Sequence, residues 1–500
     1  MKYILSIDQS TSGTKAMLFD EKGSLIARAD TPHEQIITKE GWVSHDGEEI
    51  YRNTLASVQK VIEKAEAEKA VVSTGSTTVA NSIIACGISN QRETAIAWDK
   101  TTGKPINHAV VWQCNRGQAI CDEIIAQNKE AEKIVQEKTG LPFSPYFSAA
   151  KIAWLLRNSG VSKYLDKDLH AGTIDSWLLF KLSGGKVFAT DFSNASRTQL
   201  LNINTLQWDD ELCALFGVNK NMLPDVRASN SLFAETDFEG TLPKPIPIHA
   251  MMGDSHAAFY AQGCHTKGLI KATYGTGSSV MLNIGDKPLS SKQGLATSIG
   301  YAIDDTVNYV LEGNINYTGS VIKWLVDDLH LLSSSKEART LAASANQNDG
   351  TILVPAFSGL GAPYWNSEAR AIFCGMGRST GRAELVKAGE ESIAYQITDI
   401  INIMREDAAC IIEEIRVDGG PTNDAYLMQF QSDIADCRIS VPSIEELSGA
   451  GAAFMAGISA GLYSKTVFDA FKRKIWKPEM DKAKREAKLK AWQDAVRRCL

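Results

Sequence analysis

Asp8-Gln9-Ser10-Thr11-Ser12-Gly13-Thr14-Lys15 is the stretch on which the reading of this chain turns. Met1 to Ile7, before it, reads as a buried strand, and Ala16 to Asp20, after it, alternates as a second strand that Glu21-Lys22-Gly23 turns back. The segment is thus a strand-to-strand bend carrying hydroxyls, a glycine, an acid and a cation. Such a bend offers backbone N–H groups and hydroxyls to phosphate oxygens, Lys15 to their charge and Asp8 to a magnesium ion, without the helix N-terminus of a Walker loop. An ordinary polar hairpin has the same composition, so the segment by itself leaves both readings open.

With 500 residues, 44% hydrophobic and 22% charged, the chain has an ordinary globular composition and the length for about two or three domains. A net charge of −7 gives no electrostatic footprint for nucleic acid. The nine cysteines show no C-x-x-C spacing, and their odd number suits reduced thiols. Asp8 interrupts the first apolar run too early for a secretory segment, and no stretch reaches the ~18 apolar residues of a membrane span. The expected location is the cytoplasm, with neither membrane nor nucleic acid as a partner.

Strand-like runs alternate with helical periods in a mixed α/β plan: Ser82 to Ser89, Ala95 to Trp98, Leu269 to Tyr274 and Val280 to Ile284 as strands, Lys151 to Arg157 and Glu384 to Met404 as helices. Pro243-Lys244-Pro245-Ile246-Pro247 punctuates the chain and places a division near residue 248, giving domains 1–248 and 249–500. Each half carries a glycine- and hydroxyl-rich bend, Asp8 to Lys15 in the first and Tyr274-Gly275-Thr276-Gly277-Ser278-Ser279 in the second. Two such halves facing one another would enclose a nucleotide and its acceptor in a cleft that hinge closure shields from water. Ala67 to Asn81 reads as a surface link. The basic tail Lys472 to Leu500 spaces Ala483, Leu489, Trp492 and Val496 as an amphipathic helix docked on the body, with a membrane-surface helix as the alternative.

Four further clusters carry chemistry. Asn90-Gln91-Arg92-Glu93-Thr94 sets an acid beside a base after a strand, which suits two adjacent hydroxyls of a polyol or an exposed salt-bridged turn. Val111-Trp112-Gln113 offers an indole face either to the C–H side of a small sugar or to the core. Gly253-Asp254-Ser255-His256 opens the helical pattern Ala257 to Gln262, so Asp254 is an N-cap, a general base, or both. Arg416-Val417-Asp418-Gly419-Gly420-Pro421 ends a strand at a glycine turn before the helical Ala425 to Asp433, where a purine or ribose can lie against backbone. His256 and His265 lack zinc-site spacing, and zinc is set aside.

Together and in this order, these segments resemble the FGGY carbohydrate kinases, and among them the glycerol kinases. Ser89 to Thr94, Val111 to Cys114, Pro145-Tyr146-Phe147-Ser148, Lys151 to Trp154, Gly172 to Asp175, Asn194 to Thr198, Tyr274 to Gly277, Val354 to Trp365 and Leu427 to Phe430 carry the likeness. The resemblance implies two actin-like, ribonuclease H-like ATPase domains with an interdomain cleft. It also implies ATP-dependent transfer of a phosphoryl group to a terminal hydroxyl, with ATP and Mg2+ bound, in a homodimer. In that reading Asp8 holds the metal, and Thr11, Ser12, Gly13 and Lys15 meet the phosphates. Thr276, Gly319, Lys323, Gly420 and Asp424 line the rest of the nucleotide site. Arg92, Glu93, Trp112, Tyr146 and Asp254 hold the acceptor, and Asp254 is its base.

The departures from the resemblance concern specificity. Ser255 stands where glycerol kinases usually carry Gln, and Ser279 where they usually carry Phe. Both changes remove bulk, which would suit an acceptor longer than glycerol, such as a tetritol, pentitol or ketose. Lys323 replaces a usual Gln and Asp424 a usual Asn on the nucleotide side. A reading of another class, a non-catalytic actin-like nucleotide-binding protein, needs neither the Arg92-Glu93 turn nor the acid at Asp254.

Overall fold

The computed structural model describes residues 1–72, 78–159 and 168–500. Two large sheets organise it. The first runs, edge to edge, Ala234–Thr236, Ile246–Gly253, Ile83–Asn90, Tyr3–Gln9, Gly13–Phe19 and Leu25–Pro32. The second runs Ala296–Ile303, Thr306–Ile315, Ser278–Gly285, Ile270–Tyr274, Glu414–Asp418, Arg438–Pro442 and Arg473–Trp476. Each is built around one motif, a strand with a hairpin partner on one side and a parallel strand on the other. Tyr3–Gln9 pairs antiparallel with Gly13–Phe19 and parallel with Ile83–Asn90. Ile270–Tyr274 pairs antiparallel with Ser278–Gly285 and parallel with Glu414–Asp418. This is the duplicated, two-lobed α/β plan that the resemblance implied.

Parallel central strands are covered on both faces and therefore read as near-continuous apolar runs. Tyr3–Gln9 is buried at every residue. Parallel pairing also aligns carboxyl ends: Gln9 lies beside Asn90, and Asn90 beside Gly253. The polar residues that follow these three strands therefore emerge together at one end of the sheet, where α/β proteins bind their ligands. A smaller sheet, Ile36–Ile37, Val43–His45, Ala109–Val110, Ala95–Asp99 and Leu169–Thr173, flanks that end and carries Thr94 and Trp112 at its strand ends.

The lobes share a core. Helix Leu447–Ser459 crosses the first sheet and packs on helix Asp254–Ala261. The crossing is close enough to require glycine: a Cβ at Gly451 would fall 1.9 Å from the Ala257 carbonyl oxygen, and one at Gly87 would fall 2.2 Å from that of Ala452.

Ile248, where the sequence places the division between halves, lies inside strand Ile246–Gly253 of the first sheet. The proline-rich run leads into that strand, and the chain passes to the second sheet through Asp254–Ala261. The tail is helical only over Lys482–Cys499; Arg473–Trp476 is an edge strand of the second sheet. The buried Trp492 anchors the helix, its indole N–H donating to Asp399 at 2.7 Å. The link read at Ala67 to Asn81 falls partly outside the described residues, which skip 73–77; before the gap helix Gly47–Val72 continues, and after it comes the short helix Val79–Ser82. Among the described residues no helix is long and apolar enough to cross a membrane.

Candidate active site

Asp254 begins its helix directly after the strand end at Gly253, which is the N-cap residue. The side chain is not itself the cap; its Oδ1 accepts from the neighbouring Ser255 N–H at 2.6 Å, and its Oδ2 has no partner among the described residues. Burial pushes its carboxyl above the ordinary range, with Arg92 acting against the shift.

Arg92 is not an exposed turn residue. Its guanidinium donates twice to Glu312, at 3.1 and 3.0 Å, and its Nε lies 3.4 Å from Asp254 Oδ1. Glu93, in the left-handed region at φ 59°, accepts from Arg197 Nε at 2.6 Å, and Arg197 also reaches Glu312 at 2.7 Å. Two arginines and two glutamates thus form a closed, buried, charge-balanced cluster. Burial favours protonation of Glu312, but Arg197 and Arg92 override it and hold the carboxyl far below the usual range. Ser279 donates its hydroxyl to the same carboxylate at 3.0 Å. His256 lies against this cluster with both ring nitrogens unpartnered, and burial, reinforced by Arg92, keeps it neutral.

Trp112 is neither a free platform nor simple core. Its indole N–H donates to Thr11 Oγ1 at 2.9 Å, and its ring meets Tyr146 edge to face at 5.6 Å. One side chain therefore ties the hairpin bend to the aromatic wall. Tyr146 is held from behind by Lys151, whose buried ammonium donates to the carbonyls of Pro145 at 2.8 Å and Phe147 at 3.1 Å, and to that of Tyr146 itself.

These groups surround a cavity of about 490 Å3. Thr11, Arg92, Glu93, Trp112, Tyr146, Asp254, Ser255, Thr276 and Ser279 all line it. A second cavity, of about 670 Å3, is lined by Thr276, Gly319, Lys323, Gly420 and Asp424. Gly275 and Thr276 belong to both walls, so the cavities meet at the second hairpin. The close approach of backbone there depends on Gly319, whose N–H donates to the Gly275 carbonyl at 2.9 Å, and on Gly419, at φ 101°, where a Cβ would strike the Tyr274 carbonyl oxygen at 1.9 Å. Lys323 stands on the rim with its side chain 78% exposed, and Asp424 caps helix Ala425–Ala435 by accepting from Leu427 N–H at 3.0 Å.

Among the described residues of the bend Asp8 to Lys15, Thr11 alone lines either of these two cavities. Gly13 is pressed against the Thr31 carbonyl, and the Lys15 ammonium bonds Glu446 at 2.8 Å, leaving Asp8 at 3.8 Å. Ser12 lines neither space. Asp8 is buried and accepts from Ser89 Oγ at 2.7 Å; burial, offset in part by Lys15 and that hydroxyl, pushes its carboxyl up to about 6.

Glu312, Arg197, His256 and Glu446 were not singled out from the sequence for these positions. Only Glu312 left a signal, as a lone charge inside the apolar run Tyr309-Val310-Leu311 and Ile315.

Comparison with known proteins shows the family. Residues 3–260 match the N-terminal domain and residues 270–460 the C-terminal domain of the FGGY family of carbohydrate kinases. Glycerol kinase 1 of Thermotoga maritima is 46% identical over 505 aligned positions, covering 100% of this chain and 99% of that protein. The glycerol kinase of Oceanobacillus iheyensis is 42% identical, covering 99% and 97%. Among solved structures, Plasmodium falciparum glycerol kinase with ADP superposes with a TM-score of 0.92 at 36% identity, covering 100% of this chain and 98% of that one. Xylulose kinase from Lactobacillus acidophilus, at 21% identity, shares the fold with a TM-score of 0.84 over 99% and 96%. With both domains matched and full-length relatives at this identity, the chain belongs to the FGGY family of carbohydrate kinases.

Proposed function

We propose that the protein transfers the γ-phosphoryl group of ATP to a terminal hydroxyl of glycerol. The observation that carries this reading is the junction of the two cavities at Gly275 and Thr276: a polar pocket with an acid at Asp254 opens onto a space walled by backbone at Gly319 and Gly420. A triphosphate seated in the second space would point its terminal phosphate at an alcohol held in the first.

Trp112 and Tyr146 would hold the carbon side of the acceptor, and Arg92 and Glu93 its hydroxyls. Because Arg92 is anchored at two nitrogens by Glu312, its remaining N–H donors keep fixed directions and lose little freedom on binding. Asp254 would orient the terminal hydroxyl and accept its proton at Oδ2. The hydroxyl oxygen bonds to the γ-phosphorus while the bond from that phosphorus to the β–γ bridging oxygen breaks, releasing ADP. Burial makes Asp254 a stronger base than a carboxylate in water, and its Oδ2 is free to take the proton.

The residues fit a magnesium ion. Asp8 supplies hard oxygen, the donor type the ion requires, and its Oδ2 has no closer cation than Lys15 at 3.8 Å. When bound, magnesium would draw charge from the β- and γ-phosphates. Asp8 would hold it, and Lys15 would move from Glu446 toward the phosphates.

Ser255 and Ser279 support a second reading, in which a longer polyol or a ketose is the preferred acceptor, since both leave space in the cavity wall. An acceptor panel of glycerol, tetritols, pentitols and ketoses, followed by ADP release and compared as kcat/KM, tests both readings. The highest kcat/KM on glycerol supports the first, and a higher value on a longer acceptor supports the second. No acceptor-dependent ADP release with any of them overturns the kinase assignment of this site.

A further inference from the structure

Glu390 sits on helix Arg382–Ala408, is 2% exposed, and its carboxyl has no hydrogen bond or ion pair among the described residues. A buried, unpartnered carboxyl is costly unless something binds it or it stays protonated. Its neighbour Glu391 shows the contrast, being satisfied by Tyr426 at 3.0 Å and Lys488 at 3.2 Å. Glu390 instead lines the second cavity, together with Gly319 and Gly420.

We propose that Glu390 reads the purine base of the bound nucleotide, its carboxyl donating to a ring nitrogen of adenine and accepting from the 6-amino group. The inference rests on the reading of this cavity as the nucleotide site. Burial, with Asp424 adding to it, pushes the carboxyl well above the ordinary carboxylate range, and the protonated group sets one O–H donor and one carbonyl acceptor side by side. Adenine presents the complementary pair along its edge, a ring-nitrogen acceptor beside an amino donor. The charged groups facing the same cavity are Lys323 and Asp327 on helix Gly319–Asp327, Lys336 and Arg339 on helix Ser335–Ser344, and Asp424. None of these bonds Glu390, so the pair is left for a ligand.

A binding cycle between the residue and the amino group tests this without turnover. ADP and the 5′-diphosphate of purine riboside, which lacks the 6-amino group, are titrated calorimetrically into the wild type, Glu390→Gln and Glu390→Leu. The wild type should bind ADP at least about fivefold more tightly than the analogue, as expected for a buried hydrogen-bonded pair. Glu390→Gln, whose amide offers the same donor and acceptor, should keep that difference. Glu390→Leu should erase it by weakening ADP and leaving the analogue unchanged. Equal weakening of both ligands, or an unchanged difference in the leucine variant, overturns the base-reading role while leaving the cavity as the nucleotide site. Should the leucine variant fail to fold, Glu390→Ala closes the same cycle. Binding of neither ligand by the wild type overturns the cavity reading itself, and this inference with it.

Discussion

Arg92 and Glu312 join the two lobes beside the acceptor cavity, which Arg92 lines. The arginine follows strand Ile83–Asn90 of the first sheet, the glutamate lies within Thr306–Ile315 of the second, and two nearly parallel hydrogen bonds of 3.1 and 3.0 Å connect them. The pair fixes how the acceptor wall from one lobe faces the hairpin of the other. Its planar, two-bond geometry is one that lysine could not reproduce.

Glu312→Gln should therefore be strongly destabilising. It strips Arg92 of its two-bond partner, leaving it only Asp254 at 3.4 Å, and leaves Arg197 with Glu93 alone. Removing one member of such a cluster costs about 3–5 kcal/mol, readable as a lower denaturation midpoint in urea. An unchanged midpoint would show that the cluster does not hold the lobes together.

Asp254→Asn should fold as the wild type does, because the asparagine can still accept from the Ser255 N–H, and should lose at least ~10²-fold in kcat, the scale of a general base. The measurement is steady-state turnover on the best acceptor, with circular dichroism to check the fold. Near-normal turnover would remove Asp254 from that role.

Ser279→Phe should narrow the acceptor cavity where the serine hydroxyl now meets Glu312. We expect kcat/KM for tetritols and pentitols to fall relative to glycerol by about tenfold or more, the range set by small volume differences in a pocket. A ratio that stays constant across the acceptor series would place specificity elsewhere in the wall.

Asp175 gives a pH dependence independent of catalysis. It is fully buried between the hydroxyls of Thr173 and Thr190, both at 2.5 Å, and burial pushes its carboxyl up to about 6 from an ordinary 3.8. Between those values the folded protein keeps a proton that the unfolded chain has released. The contribution of this group is therefore fully present below about pH 4 and is lost as the pH rises through about 6. Asp175→Asn should lack that loss, so the stability of the variant relative to wild type should rise by up to about 3 kcal/mol from pH 4 to pH 7, two pKa units being worth roughly that much. Parallel stability curves for the two proteins would contradict the raised carboxyl.

The sequence by itself determined the local plan. Apolar strand runs, the glycine- and hydroxyl-rich bends at Asp8 to Lys15 and Tyr274 to Ser279, and the strand, turn and helix around Gly419 are all written in short-range patterns of side-chain type, and such patterns fix local backbone geometry. The candidate residues Arg92, Glu93, Trp112 and Asp254 were legible for the same reason, as polar or aromatic groups at strand ends, and Tyr146 through the family resemblance alone. Only the tertiary structure decided their partners. Arg92 meets Glu312 across 220 positions of chain, Lys15 meets Glu446 across 431, and Trp112 meets Thr11 across 101. Such pairings follow from which sheets face one another and which helices cross, and no window of sequence contains both members. Lys15 reads in the sequence as a phosphate contact, and only the fold sets its ammonium on Glu446; likewise Glu390 is one acid in a helical run until the tertiary structure places it beside a cavity.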